Sequence, residues 1–499
     1  MTTAMESLED RIISSCLDDN DAFLKQLLGI GTSWDLIAKP FVFDEIRMTA
    51  YTANGYFLTM NMVLILEDLA ACIRLFVSRQ QTPFTVEDLV AFLQVTIQFV
   101  QVQVIDAMKD AVRFILSGPL VVFLDGYEKV LLIDTRIYPM RSIEEPEIER
   151  IVRGPKDGFT ETMLMNVVLI RRRLRDPRLR VELLQVGTRS QTDVSLMYLE
   201  DVTNSSLVDF MRDKLKALNT DTTAMGEQTV TEYLANVTWN PLPIARYTER
   251  PDVAVTGLLE GQVVIVVDTT PEVIIAPTTA FHHMHHPEDY HVYPANGTYL
   301  RIVMLFGLVA SVFSPSLFIL LAGLGSLLPK GVAMIMSPKP LPLPLGLQFI
   351  LAQVSVDLFE RAVINTPTPM ATAIAVVAGL VFGQFAVMMN LITPEVLVFM
   401  GAAVIAQFAT SSRELAAANR LFRFVLIVLT WLFGWVGYGI GSIGIIVLVI
   451  TTKSFGVPYF WPVIPFDWEG VKGVFIRGTL TREDRRSTIF HAKTPSKKG

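Results

Sequence analysis

Long apolar segments between residues 302 and 450 constrain this chain more than any other feature, because a membrane-spanning helix needs about 20 mostly apolar residues. Segments 302–328, 371–390 and 424–450 reach that length. Segment 395–409 is short for a span, and 341–364 is apolar but begins with several prolines. The pattern predicts an all-α polytopic membrane domain with four or five membrane segments, of which one is re-entrant or lies flat on the membrane.

The charge distribution separates the same region from the rest of the chain. Residues 299–466 hold eight basic and four acidic residues, and residues 467–499 hold the same numbers. Because the whole chain has a net charge of −7, the first 298 residues are strongly acidic. Such a soluble region argues against nucleic-acid binding, which needs a basic surface. We predict a helical transmembrane domain at 299–466 and a basic C-terminal tail at 467–499.

The N-terminal region is expected to face the cytoplasm. The first residues lack both the basic start and the apolar core of a secretory signal. Cys16 and Cys72 are too few for a disulfide framework, which fits a reducing compartment. The positive-inside rule also assigns Arg413, Arg420, Arg423 and the basic tail to the cytoplasmic side. No simple count of the five segments satisfies all of these assignments, so the number of crossings stays open.

A repeated hairpin pattern predicts an α/β fold for the N-terminal region. Residues 118–135 read as a strand, an Asp-Gly turn and a second strand. Residues 261–278 repeat this pattern without a gap, 143 positions later. The repeat favours two related α/β subdomains, at 1–140 and 141–298. The second subdomain ends in an elbow at 281–293, just before the first apolar segment.

Four polar residues interrupt the apolar segment 341–364 at helical spacing: Gln353, Asp357, Glu360 and Arg361. Ionisable side chains at membrane depth are costly and usually face a cavity or a partner. One interpretation is therefore a pore-lining or gating helix, in which acidic rings favour cations. The other is an interfacial amphipathic helix whose polar face meets water. Asp357 and Arg361, four residues apart, can also form a simple pair.

Residues 281–291 contain five of the six histidines, including His282, His283, His285 and His286. A zinc site needs three or four converging ligands, and these adjacent pairs bring together two at most, with no cysteine nearby. We therefore predict no metal site. Histidine titrates near neutral pH, so a pH sensor is chemically feasible. The simplest alternative is an amphipathic elbow at the membrane surface.

The sequence carries no catalytic signature and no cofactor motif, which predicts that the protein is not an enzyme. One basic run, with six arginines in residues 171–180, has two interpretations. It is either a patch for anionic lipid or phosphate, or a solvated helix end paired with the acidic surroundings.

Three stretches resemble one known family: "IDTRIYPMRSIEEPEIERIVRGPKDGFTETMLMNVVLIRRRLRDPRLR" (133–180), "YTERPDVAVTGLLEGQVVIVVDTTPEVIIAPTTAF" (247–281) and "KSFGVPYFWP" (453–462). They resemble the GerA family of spore germinant receptor A subunits, and the likeness runs from about residue 32 to 465. The resemblance implies a multi-pass protein of the spore inner membrane, with two α/β subdomains facing the spore core. It also implies a homo-oligomer, a pentamer, that forms the ion-conducting part, while partner subunits sense nutrients.

The histidine segment departs from this family's pattern. Histidines stand where the family usually has aromatic residues, while "PEDY" is kept at 287–290. This departure, together with "RYTERPDV" (246–253), points to a branch outside the receptor operons. For that branch the resemblance implies a channel that releases ions to amplify germination, working with a small membrane partner and other germination proteins.

We therefore predict a subunit of an oligomeric ion channel, selective for cations, in the spore inner membrane. The alternative is a non-conducting receptor or scaffold subunit that binds a nutrient or germination partners through its soluble region.

Overall fold

The computed structural model describes residues 8, 11–43, 46–79, 85–96, 101–136, 149, 151–218, 220–221, 226–235, 239–324, 343–389, 391–408, 410, 412–478 and 486–496. The chain packs into two units, which we call the α/β unit and the helical unit. The α/β unit contains Met1–Val237, Tyr247–Pro277 and Glu483–Gly499, and the helical unit contains Thr238–Arg246 and Thr278–Arg482.

This division differs from the predicted domain boundaries at two places. The segment from residue 278 to 298, with the elbow, packs in the helical unit and not with the second α/β subdomain. The predicted tail is split, because residues 486–496 pack on the α/β unit. There Phe490 is 2% exposed, and the Lys493 amide donates to the Val202 carbonyl at 2.9 Å. Apolar composition set the predicted boundaries, and it does not reveal such long-range contacts.

The first subdomain is a five-stranded antiparallel sheet with the strand order β1-β2-β4-β5-β3. Strand β4 is buried along its whole length because helices cover both faces of the sheet, α1 and α4 on one and α2 and α3 on the other. The elements are α1 Leu17–Leu28, β1 Leu36–Phe43, β2 Ile46–Ala53, α2 Thr59–Arg79, α3 Val86–Thr96, β3 Val102–Ile105, α4 Met108–Ser117, β4 Leu120–Leu124 and β5 Val130–Ile133.

The second subdomain repeats this arrangement, with the strand order β6-β7-β9-β10-β8. Hairpin β9–β10 lies 143 residues after hairpin β4–β5, at the same place in its sheet. The elements are α5 Met163–Arg173, β6 Leu179–Val186, β7 Thr192–Leu199, α6 Ser205–Lys216, α7 Gly226–Ala235, β8 Arg246–Thr248, α8 Pro251–Glu260, β9 Val263–Val267 and β10 Val273–Ala276. The α/β architecture predicted from the hairpins is confirmed.

Side-chain contacts at the turns strengthen the relation between the subdomains. The Asp125 carboxylate accepts from the Leu17 amide at the start of α1, at 3.2 Å, and Asp268 accepts from Met163 at the start of α5, at 2.9 Å. Gly118 and Gly261, which end α4 and α8, both have a positive φ, of 102° and 96°. Equivalent residues thus perform equivalent tasks, as expected for an internal duplication.

The arginine-rich run joins the two subdomains and does not form a free patch. Arg171 is buried and binds both carboxylate oxygens of buried Asp35, at 2.8 and 3.2 Å. Arg173, Arg178 and Arg180 each pair with an acidic residue of the α/β unit. These contacts support the structural interpretation of the run.

Among its described residues, the helical unit contains six longer helices and one short one: α9 Glu288–His291, α10 Pro294–Gly323, α11 Leu345–Ile364, α12 Thr368–Leu380, α13 Pro394–Phe408, α14 Arg413–Thr451 and α15 Trp468–Phe475. Helix α12 continues through a π-helical turn to Met388. Two helices, α10 and α14, are long and apolar enough to cross a membrane by length and composition. The helical region is confirmed, and the count of four or five membrane segments stays a prediction.

Helix α14 is broken at Gly434, where φ is 56° and ψ is −134°. Beyond this residue the chain folds back on itself. A Cβ on Gly437 would lie 2.0 Å from the Leu429 carbonyl oxygen, and one on Gly441 would lie 2.7 Å from Leu426 Cδ1. Residues 426 and 441 of a straight helix would be more than 20 Å apart at about 1.5 Å per residue. Segment 424–450, predicted as one span, is therefore the bend of a helical hairpin.

Candidate functional site

A polar cluster lies between α11 and α14, on the stripe that the sequence singled out. Gln353 is buried, and its Oε1 accepts a hydrogen bond from Arg423 Nε at 2.7 Å. The same amide donates from Nε2 to Asp357 Oδ1 at 2.8 Å. The stripe therefore begins as a hydrogen-bonded relay from Arg423 through Gln353 to Asp357.

Arg420, one helical turn before Arg423, binds the acidic part of the stripe. Its Nη1 lies 2.6 Å from Glu360 Oε2 and 3.5 Å from Asp357 Oδ1. The two carboxylate side chains remain 27% and 35% exposed. Arg361 is exposed and takes no part in this cluster. The structure thus brings together three of the four predicted residues.

Arg423 joins four helices, and sequence reasoning had used it only as a marker of membrane sidedness. Its side chain is fully buried, and it donates to Gln407 Oε1 at 2.8 Å and to the carbonyls of Ser311 and Ala403 at 3.3 and 3.4 Å. Burying a guanidinium is costly unless its donors are satisfied. The sequence signal for this role was the pair Arg420 and Arg423, which lie three residues apart, on one helical face, at the start of the long apolar segment 424–450.

The charges of the cluster are balanced. Two arginines balance two carboxylates, and the carboxylates are the partly exposed members. A cation from water can therefore approach them only in competition with Arg420. The guanidinium of Arg423 is shielded, so its role is to fix the helices around the cluster.

The four histidines of the elbow are packed among neighbouring segments. His283 is buried, and its Nδ1 lies 3.1 Å from the hydroxyl of Ser412, which caps α14. His282 Nδ1 lies 2.7 Å from Thr279 Oγ1, and His286 Nδ1 accepts from the Glu288 amide. The elbow backbone is held in addition by Arg246, which donates to the carbonyls of His282 and His285 at 3.0 and 3.2 Å.

Burial keeps the rings of His282, His283 and His285 neutral. It lowers the pKa of His282 to about 4 and that of His283 to about 3, and the positive charge of Arg246 adds to the effect. The pKa of His285 lies well below its usual value through burial and, next, the charge of Arg301. Within the described ranges, no three His, Cys, Asp or Glu residues are arranged to hold a metal ion.

Comparisons with known proteins give matches that cover most of the chain. A sequence profile of the Bacillus/Clostridium GerA spore germination protein matches residues 22–489. Stage V sporulation protein AF of Bacillus subtilis (strain 168) is 37% identical over 95% of this chain and 95% of its own. Spore germination protein KA of the same organism is 29% identical over 74% of this chain and 69% of its own.

Among solved structures, the N-terminal domain of the A subunit of the Bacillus megaterium spore germinant receptor GerK3 is 26% identical. It matches with a TM-score of 0.40, over 54% of this chain and 96% of that one. The sequence relatives are spore germination and sporulation proteins, which supports a role in germination. Because the profile and the relative at 37% identity both cover nearly the whole chain, this protein belongs to the GerA family of spore germination proteins.

Proposed function

We propose that this chain is a subunit of an oligomeric cation channel in the spore inner membrane, which releases ions and promotes or amplifies germination. The observation that carries the proposal is the pair of partly exposed carboxylates, Asp357 and Glu360, on a helix of the apolar unit. Carboxylates at membrane depth are costly unless they face a partner or an aqueous path. Acidic rings along such a path attract cations and repel anions.

In this proposal α11 lines or gates the ion path, with Gln353, Asp357, Glu360 and Arg361 as the candidate residues. Arg420 neutralises both carboxylates in the present arrangement, and we assign that arrangement to the closed channel. Opening then requires α11 and α14 to separate at Arg420, while the buried contacts of Arg423 hold the rest of the helices together.

The remaining features fit an assembly in a membrane. A path on a symmetry axis needs several copies, and we propose a homo-oligomer, a pentamer, with the α/β unit facing the spore core. The elbow with its neutral histidines lies at the membrane interface. A small membrane partner and other germination proteins complete the assembly.

The test is ion flux through the purified full-length protein in liposomes loaded with potassium. Replacing both carboxylates, by D357N with E360Q, should reduce the preference for cations over anions several-fold. E67Q, at an exposed carboxylate of α2, is the matched control and should change nothing. Unchanged flux and selectivity in the double variant would reject the channel assignment for α11.

The alternative, a non-conducting receptor or scaffold subunit, predicts another result. Wild-type liposomes would then show no flux above protein-free liposomes, with or without the partner protein. Calorimetry on the same full-length preparation would instead detect binding of a germinant amino acid or sugar.

A further inference from the structure

Both ends of helix α14 contact the segment that precedes the first long apolar helix. At its start, Ser412 lies 3.1 Å from His283. At its end, Thr452 accepts a hydrogen bond from the Asn240 side chain at 2.9 Å. The following loop continues this contact, since the Ala280 amide donates to the Tyr459 carbonyl at 2.9 Å. Helix α14 is the helical hairpin bent at Gly434. Both its first and its last residues therefore lie at the end of the helical unit where α10 begins.

The two arms of the hairpin pack along their length. Ala418 and Phe422 of the first arm share one apolar cluster with Ile445, Leu448 and Val449 of the second arm. The break at Gly434 and the close approach at Gly437 and Gly441 give the chain a sharp reversal. The second arm still exposes large apolar side chains, which fits a lipid-facing surface: Val436, Ile440, Ile443, Ile446 and Val447.

Helices α11 and α13 run in the opposite direction to α10. Gly307 of α10 faces Ala406, while Phe318, further along α10, contacts Phe399 with ring centroids 4.4 Å apart, so α13 is antiparallel. Phe318 also contacts Phe349 near the start of α11. Arg423 contacts both Ser311, which precedes Phe318 in α10, and Gln353, which follows Phe349 in α11. The order of contacts is thus reversed, so α11 is antiparallel to α10 as well.

Helix α12 runs in the same direction as α10. Only three residues separate its start from the end of α11. Near its far end, Ala386 packs in one cluster with Phe318 and Ile392. Successive helices thus alternate in direction, and the two arms of α14 continue the alternation.

The C-terminal segment independently places the end of the chain with the α/β unit. The Arg486 guanidinium donates to the Leu259 carbonyl at 2.6 Å, and the Ser487 amide donates to Glu260 at 3.1 Å. Phe490 is buried there. Since this segment is part of the fold of the second subdomain, the chain must end on the side of the membrane where the α/β unit lies.

From these contacts we infer that the chain crosses the bilayer six times, as three antiparallel helical pairs. The pairs are α10 with α11, α12 with α13, and the two arms of α14, and the bend at Gly434 lies at the face opposite to both termini. The arms of α14, 413–433 and 435–451, have 21 and 17 residues, within the range of about 17–25 that spans a bilayer. Helix α13, with 15 residues, is shorter than this range, and it is counted as a crossing because it packs antiparallel along α10. An even number of crossings removes the conflict between the basic tail and the cytoplasmic N-terminal region.

This inference takes from the proposed function only that the helical unit is embedded in a membrane. The test is labelling of single cysteines in the full-length chain by a membrane-impermeant maleimide, in right-side-out and inside-out vesicles. The native Cys16, in a C72S chain, reports the side of the α/β unit, because it is exposed. H491C reports the tail and W435C the bend, both in a C16S/C72S chain, and F433C is a second position at the bend. All three replaced side chains are exposed.

Cys16 and H491C should react from the same face, and W435C and F433C from the opposite face. Labelling of both bend positions from the face of Cys16, or from neither face, would overturn the six crossings, as would labelling of H491C from the face opposite to Cys16. Alkaline extraction separates this outcome from failure of the proposed function. A chain that is released from the membrane refutes membrane embedding, whereas a retained chain without ion flux leaves the topology standing.

Discussion

The Nε of Arg423 donates a hydrogen bond of 2.7 Å to Oε1 of Gln353, in a place where both side chains are fully buried. The Nε2 of the same amide donates a hydrogen bond to Asp357, which lies at the partly exposed edge of the cluster. This pair therefore links the shielded centre of the helical unit to the carboxylates that we assign to the ion path.

Replacing Gln353 by leucine should destabilise the helical unit. The change keeps most of the side-chain volume but leaves the buried Arg423 Nε without its acceptor, at a cost of about 3 kcal/mol. The melting temperature of the detergent-solubilised protein measures this loss. Q384L is the matched control, because Gln384 is exposed on α12. Equal melting temperatures in the two variants would contradict the structural role of the relay.

Replacing Arg420 by glutamine should raise the basal ion leak in liposomes. The substitution removes the positive partner of Glu360 and Asp357, so the carboxylates become available to cations without any stimulus. R74Q removes the same charge from an exposed position on α2 of the α/β unit and should leave the basal leak unchanged. An equal rise of the leak in both variants would mean that the loss of positive charge in general, and not the loss of the Arg420 ion pairs, opens the channel.

The buried histidines predict that stability falls as pH falls. The folded pKa of His283 is about 3, below the unfolded value of about 6.5, so only the unfolded chain takes up protons between these values. Stability is therefore complete above about pH 6.5 and decreases below it, by about 2 kcal/mol at pH 5 for this residue alone. Melting temperatures between pH 7.5 and 5 measure the slope.

The slope should become smaller in H283N and stay the same in H291N, since His291 is exposed. A wild-type protein whose stability is independent of pH down to 5 would contradict the burial of the elbow histidines.

Local patterns predicted part of this architecture because they depend on nearby residues. The hairpins at 118–135 and 261–278 carry their own turn and strand signals, and both occur as β4–β5 and β9–β10. The helical spacing of Gln353, Asp357 and Glu360 likewise predicted a shared face, which contacts α14 in the structure.

Contacts between distant residues were not predictable in this way. Arg423 lies 70 positions from Gln353, and nothing near either residue encodes their pairing. The bend at Gly434 was not predicted, because a continuous apolar sequence is compatible with one straight helix and with a helical hairpin. The φ of 56° at Gly434, which favours glycine, and the close contacts of Gly437 and Gly441 distinguish the two.

Replacing Gly437 by alanine should destabilise the protein, because the new Cβ would lie 2.0 Å from the Leu429 carbonyl oxygen in the opposite arm of the hairpin. The arms must then separate, at a cost of about 1–3 kcal/mol. Gly439 has no atom within 4 Å of a Cβ, so G439A is the matched control and should be neutral or stabilising by up to about 1 kcal/mol. Melting temperatures of both variants decide the question. If G437A is as stable as G439A, α14 does not fold back at this point.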